Sequence, residues 1–92
     1  QALFDALAQQ PAIANPAALK IRARPQAFAL IGTEPQSFAH AELRLLPGRD
    51  DATKLQLTQC LLTVLQQHLP DIGSLTVEAV EMHGASYAKR VL

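Results

Sequence analysis

Apolar residues at helical spacing mark the start of the chain. In residues 1–10, Leu3, Ala6 and Leu7 fall on one face of a helix. Pro11 follows, and proline interrupts a helix because it lacks the N–H donor and its ring clashes with the preceding turn. The pattern therefore predicts a short first helix followed by an irregular connector.

The clearest helical pattern lies in the second half of the chain. Its leucines recur at helical spacing: Leu55, Leu61, Leu62, Leu65 and Leu69. Asp50 or Asp51 can serve as the N-cap, because a carboxylate accepts hydrogen bonds from first-turn N–H groups and suits the positive end of the helix dipole. Pro70 ends the run. The pattern predicts a long helix that reaches His68.

Three segments have the composition or the alternation of strands. Residues 27–31 are apolar and precede a turn-forming stretch, residues 32–35. Residues 38–45 alternate, and the polar positions His40, Glu42 and Arg44 share one face. Residues 75–83 are rich in β-forming residues and form the third segment. The first two segments, on either side of the turn, predict a hairpin.

The predicted order is helix, strand, strand, helix, strand. It indicates one α+β domain over residues 1–92, of the β-α-β-β-α-β type with its opening strand absent from the chain. Both helices are expected on one face of a small sheet.

Composition adds an expectation of self-association. Hydrophobic residues make up 49% of the chain and charged residues only 17%, whereas a domain this small buries a modest fraction of its surface alone. Apolar surface covered by neighbouring subunits would account for the excess, although a tight core is the simpler alternative. The tail at residues 85–92 is expected to pack on a neighbour, since Tyr87, Val91 and Leu92 are apolar or aromatic.

Charge and cysteine content limit the partners and the compartment. Eight basic and eight acidic residues give zero net charge, and the absence of a basic run argues against nucleic-acid or anionic-membrane binding. No apolar stretch approaches the ~18 residues of a membrane span, and residues 1–10 lack the pattern of a signal peptide. The single cysteine, Cys60, fits a reducing compartment, so a cytoplasmic location is expected.

Three arginines are candidate anion-binding residues. Arg22 and Arg24 lie two positions apart, so on an extended segment they share a face and can grip a carboxylate together. Arg49 lies at the entrance of the long helix, where backbone N–H groups also favour anions. The alternative for all three is an ordinary solvated surface residue.

Other residue types give weaker indications. His40, His68 and His83 lack metal-ligand spacing, and ordinary surface roles are favoured over substrate contacts. Cys60 has no basic neighbour, so a core role is favoured over a nucleophilic one. The residue pattern alone does not establish an enzyme.

Several segments together resemble the 5-carboxymethyl-2-hydroxymuconate isomerases, a family of the tautomerase superfamily. The segments that carry the resemblance are residues 21–24 (IRAR), 38–45 (FAHAELRL), 48–50 (GRD) and 76–83 (TVEAVEMH). Leu3 with Phe4 resembles the family's first helix, and Tyr87 with Lys89 resembles its C-terminal tail. Each motif is short, and their joint order over essentially the whole chain makes the resemblance specific.

The resemblance implies a homotrimer with active sites near subunit boundaries and no cofactor. Family members isomerise an unsaturated dicarboxylate-type product of aromatic ring cleavage, in the bacterial homoprotocatechuate pathway, by keto–enol proton transfer. An N-terminal proline is the general base. Arginines matching Arg22 and Arg49 bind substrate carboxylates and stabilise the charge on the dienolate oxygen. Arg24 is a further candidate.

The chain departs from the family at its start. The family's proline begins a strand ahead of the first helix, whereas only Gln1 and Ala2 precede that helix here. Pro11 cannot replace it, because an internal proline has no free amine. We therefore expect no catalytic residue within residues 1–92, and a proline upstream of Gln1.

Two other functions remain open. A non-catalytic relative would act as an oligomeric module that binds small carboxylates through Arg22 and Arg49. A purely structural ferredoxin-like interaction domain would give the arginines no specific role.

Overall fold

The computed structural model describes residues 1–15, 18–27, 29–32, 34–90 and 92, and it is a small α+β unit. Its elements are α1 (Ala2–Ala8), β1 (Phe38–Leu45), α2 (Asp51–His68), β2 (Ser74–Glu81) and a 3₁₀ turn (Gly84–Ser86). Pro16, Ala17, Phe28, Thr33 and Val91 lie outside the described residues, as do the parts of the predicted connector, strand, turn and tail that fall on them.

Helix α2 begins and ends where its sequence predicts. Asp50 is the N-cap, and its side chain accepts a hydrogen bond of 2.8 Å from the N–H of Thr53. Leu57 and Leu61, one helical turn apart, are the buried residues of the helix. The helix ends at His68, two residues before Pro70.

Strands β1 and β2 pair in parallel, with Phe38 opposite Ser74 and Leu45 opposite Glu81. The alternation predicted for β1 is confirmed, because its even-numbered side chains are exposed and its odd-numbered ones are buried or half-buried. The two strands are joined through α2, which makes β1–α2–β2 a βαβ unit.

The core lies on the odd-numbered face of the sheet. Its buried residues come from both helices and from β1: Leu7, Leu45, Leu57 and Leu61. Leu43, Val77 and Ala79 of the same sheet face pack against this cluster. Both helices therefore contribute to one face of the sheet, as predicted.

The predicted hairpin is wrong for the part of the chain that the structure describes. Residues 27 and 29–31 form no strand, and the strand paired with β1 is β2, some 36 positions further along. Residues 27–31 have no alternating pattern that would bury one face, and Leu30 is 96% exposed. The strand that does pair with β1 follows α2, whose Leu57 and Leu61 are buried in the core on the same side of the sheet.

Hydrogen bonds to Ser37 hold the starts of the two strands together. The N–H of Gly73 donates to Ser37 Oγ at 2.9 Å, and the N–H of Ser74 donates to Ser37 O at 3.1 Å. A Cβ atom on Gly73 would lie 2.6 Å from Pro35 O, closer than a real Cβ contact allows. Glycine is therefore required here for close approach of two backbone segments.

No helix among the described residues combines the length and the apolar character that crossing a bilayer requires.

Candidate functional site

Arg49 is placed by the start of α2. It immediately precedes the N-cap Asp50 and is half-buried. Its Nη2 donates a hydrogen bond of 3.2 Å to Ala12 O, in the connector that follows α1. The guanidinium therefore joins the start of α2 to the connector, a structural role that the sequence pattern does not reveal.

The protein's own carboxylates lie at this helix terminus. Hydrogen bonds from the side chain and then the backbone of Thr53 lower the pKa of Asp50, so the carboxylate stays charged against the positive end of the helix dipole. Asp51 adds a second acidic side chain in the first turn. These two negative charges would repel an external anion next to Arg49. The helix terminus therefore contributes less to anion binding than the sequence predicted.

A second cation lies near the same end of α2 and was not among the predicted residues. Lys54 Nζ lies 3.0 Å from Glu81 Oε1 and 4.0 Å from Asp51 Oδ1. The hydrogen bond to Glu81 raises the pKa of Lys54. This ion pair connects the first turn of α2 to the C-terminal end of β2. No local sequence pattern predicts this ion pair, since the partners are 27 positions apart.

Arg22 and Arg24 lie in an exposed, irregular part of the connector. The two arginines do not form part of a strand, and no hydrogen bond or ion pair between described residues involves either of them. Leu19, three positions before Arg22, packs against the core. Both arginines are thus available to solvent, but no described contact joins them to Arg49.

Two of the three histidines form side-chain hydrogen bonds among the described residues. His40 Nδ1 lies 2.7 Å from Thr76 Oγ1 across the two strands, and His83 Nδ1 lies 2.7 Å from Ser86 Oγ within the 3₁₀ turn. His68 ends α2. Within the described ranges, no group of three or more His, Cys, Asp or Glu side chains has an arrangement that could hold a metal ion.

Two shallow grooves flank the C-terminal half of α2. One is lined by residues that include Leu62, Leu69 and Ile72, and the other by Leu3, Leu65 and His68 among others. Neither groove includes Arg22, Arg24 or Arg49 in its lining. Both grooves are therefore separate from the candidate arginines.

Cys60 packs between the two helices. Gln10 Nε2 donates to Cys60 Sγ at 3.5 Å, and the thiol lies 4.0 Å from Ala6 O. The thiol is half-buried and contacts no basic residue in these hydrogen bonds, which fits the packing role expected for it.

Comparison of the chain with protein-family models, with curated proteins and with solved structures finds no match.

Proposed function

We propose that this chain belongs to a cofactor-independent isomerase of the 5-carboxymethyl-2-hydroxymuconate isomerase type. The substrate class is an unsaturated carboxylate from aromatic catabolism, and the reaction is a keto–enol proton transfer. The protein would act in the cytoplasm as a homotrimer.

The observation that carries the proposal is the order of motifs along the chain. Residues 21–24, 38–45, 48–50 and 76–83 resemble family segments in the same order and at nearly the same spacing. Any one of these short motifs could occur by chance and would be weak support alone. Their joint order over most of a 92-residue chain is the support for the proposal.

The coarse architecture is compatible with the proposal. The superfamily is built on βαβ units, and β1–α2–β2 is such a unit with parallel strands and its helices on one face. Many unrelated proteins share this arrangement, so it supports the fold class and leaves the activity to the candidate residues.

Each candidate residue has a proposed role. Arg22 binds a substrate carboxylate, with Arg24 as a second cation on the same segment, and their exposure leaves them accessible. Arg49 stabilises negative charge on the dienolate oxygen while it holds Ala12. The general base is an N-terminal proline upstream of Gln1, whose secondary amine is neutral near physiological pH in an apolar site.

The test is turnover by the protein with its natural N-terminus. Loss of the dienol absorbance of 5-carboxymethyl-2-hydroxymuconate reports the reaction. We expect Arg22→Ala to raise KM or lower kcat/KM by roughly tenfold or more, because a charged contact to a carboxylate is lost. Lys20→Ala is the matched control, since it removes an exposed cation two positions away and should leave kcat/KM unchanged.

The outcomes separate the proposed functions. A native protein that begins at Gln1, as shown by intact mass, and that has no turnover would rule out the proline-dependent isomerase. Carboxylate binding that survives without turnover and weakens in Arg22→Ala would favour the non-catalytic binding module. Equal turnover in Arg22→Ala and Lys20→Ala would remove the role assigned to Arg22.

A further inference from the structure

The chain that follows α1 forms a turn at residues 10–13, which we call the connector turn. The N–H of Ile13 donates a hydrogen bond of 3.0 Å to Gln10 O and closes the turn. Ala12 O, inside the turn, accepts the 3.2 Å hydrogen bond from Arg49 Nη2. The place of the Arg49 guanidinium therefore depends on the place of the connector turn.

The side chain of Gln10 fixes the connector turn to α2. Its Nε2 donates to Cys60 Sγ at 3.5 Å, and both residues are half-buried. Ala12 and Ile13 also pack against the hydrophobic core. The carbonyl that accepts from Arg49 thus belongs to a segment held by one side-chain hydrogen bond and by apolar packing.

Arg49 is fixed at one nitrogen and leaves further donors unused. A guanidinium carries several N–H donors, and among the described residues Ala12 O is the only acceptor joined to this one. Arg22 and Arg24 have no such contact in the described part of the chain. A side chain that is already ordered loses less freedom when it binds an anion. Of the three candidate arginines, Arg49 is therefore the one that is ordered in advance.

We propose that Gln10 is a positioning residue for Arg49. Through the connector turn and Ala12 O, its side chain holds the guanidinium in a fixed place before an anion binds. The inference rests on the proposed function for the identity of that anion, the dienolate oxygen of the substrate. The hold on the guanidinium does not depend on any reaction, so it can be tested by itself.

Gln10→Met tests the hold directly, because methionine has a similar length and flexibility but no N–H donor. Gln9→Met is the matched control, since Gln9 is the exposed neighbour and its side chain makes no hydrogen bond among the described residues. Magnetic resonance relaxation gives the order parameter of the Arg49 Nε–H in the protein with its natural N-terminus. We expect that order parameter to fall by roughly 0.2 or more in Gln10→Met and to stay unchanged in Gln9→Met.

Variants of the acceptor give an independent test. Cys60→Ala removes the acceptor and should lower the order of the Arg49 Nε–H as Gln10→Met does. Cys60→Ser keeps an acceptor, the serine hydroxyl, and should retain most of the order. The double variant Gln10→Met, Cys60→Ala should lose no more order than either single variant, because both substitutions break the same contact.

Kinetic constants separate positioning from a general loss of stability. Arg49 is assigned to charge that develops during the reaction, so its misplacement should lower kcat in Gln10→Met by roughly threefold to tenfold and leave KM within about twofold. Gln9→Met should retain the wild-type kcat. Circular dichroism at the assay temperature checks that each variant is folded.

The outcomes distinguish this inference from the proposed function. An Arg49 order parameter that is equal in Gln10→Met and in the wild type would overturn the inference, whether or not the protein is active. An active protein whose kcat is unaltered in Gln10→Met would also overturn it and would spare the isomerase proposal. A wild type without turnover, in which Arg49 loses order in Gln10→Met and keeps it in Gln9→Met, would support the hold and count against the isomerase.

Discussion

The β1–α2–β2 unit and the connector between α1 and β1 differ in how their backbones are held. In the unit, helical and ladder hydrogen bonds run through most residues, and four leucines from it and from α1 form the core. The described part of the connector has turns and irregular chain. It is held at Ala12 by Arg49, at Leu19 by packing, and at Ser37 by a hydrogen bond from Gly73.

The unit is the scaffold, whereas the connector and its contact with the unit carry the candidate functional residues. Arg22 and Arg24 lie in the connector, and Arg49 lies at the contact between the connector and the unit. Substitutions in the unit should therefore change stability strongly, whereas those in the exposed connector should change it little. The predictions below run from the largest expected effect to the smallest.

Leu57→Ala should produce the largest loss of stability, because Leu57 is 1% exposed at the centre of the core. Removal of its buried methyl groups should lower the free energy of unfolding by roughly 2–5 kcal/mol, measured by urea denaturation. Leu55→Ala is the control in the same helix, where the side chain is 56% exposed, and it should cost less than about 0.5 kcal/mol. Equal effects in the two variants would mean that α2 does not pack as described.

Gly73→Ala should cause the next largest loss of stability, because its Cβ would meet Pro35 O at 2.6 Å. Relief of that overlap requires a backbone shift at the strand starts, which we expect to cost roughly 1–3 kcal/mol in the free energy of unfolding. Gly32→Ala is the control, since its Cβ would meet no atom within 4 Å. A Gly73→Ala protein as stable as Gly32→Ala would contradict the close approach of the two segments.

Arg49→Ala tests the attachment of the connector to the unit. Loss of the 3.2 Å bond to Ala12 O leaves a partly buried carbonyl without its donor, and should lower the free energy of unfolding by roughly 1–2 kcal/mol. Amide hydrogen exchange in residues 9–15 should accelerate at the same time. Arg24→Ala, in the exposed segment, should change neither quantity, and a similar loss in both variants would remove the attachment role.

The smallest expected effect is the pH dependence from Asp50. Its pKa is lowered in the folded protein from the ordinary 3.8, so the stability it contributes is present above that value and is lost as pH falls through the folded pKa. Asp50→Asn keeps a good N-cap but does not titrate. We expect the wild-type thermal midpoint to fall more steeply than that of Asp50→Asn below about pH 4. Parallel curves for the two proteins would show that the Thr53 contacts do not favour the charged form.

The periodic segments could be predicted from the sequence, and the long-range contacts could not. The leucine spacing and the Asp50 cap predicted α2, and the alternation around His40 predicted β1. The partner of β1 lies 36 positions away, as the contact between His40 and Thr76 shows, and no local pattern encodes that pairing.

The candidate arginines show the same limit. The turn before α2 located Arg49, but its bond to Ala12 spans 37 positions and ends on a backbone carbonyl, which carries no residue signature. Arg22 and Arg24 were expected to share a face if residues 21–24 were extended, as their apolar–basic alternation allows. In the structure that segment has no strand partner among the described residues, because alternation alone supplies neither a neighbouring strand nor a buried face.

The contact between Ser37 and the start of β2 has a consequence for insertions and deletions. Ser37 holds both Gly73 and Ser74, so a residue added just before β2 that took over one of these contacts would shift β2 by one place against β1. Val77 and Ala79 would then turn outward and Glu78 would turn toward the helices. An added residue at 29–32, where the chain is mostly exposed, would move no strand. We therefore expect natural variation in loop length to occur before β1 and to be excluded between α2 and β2.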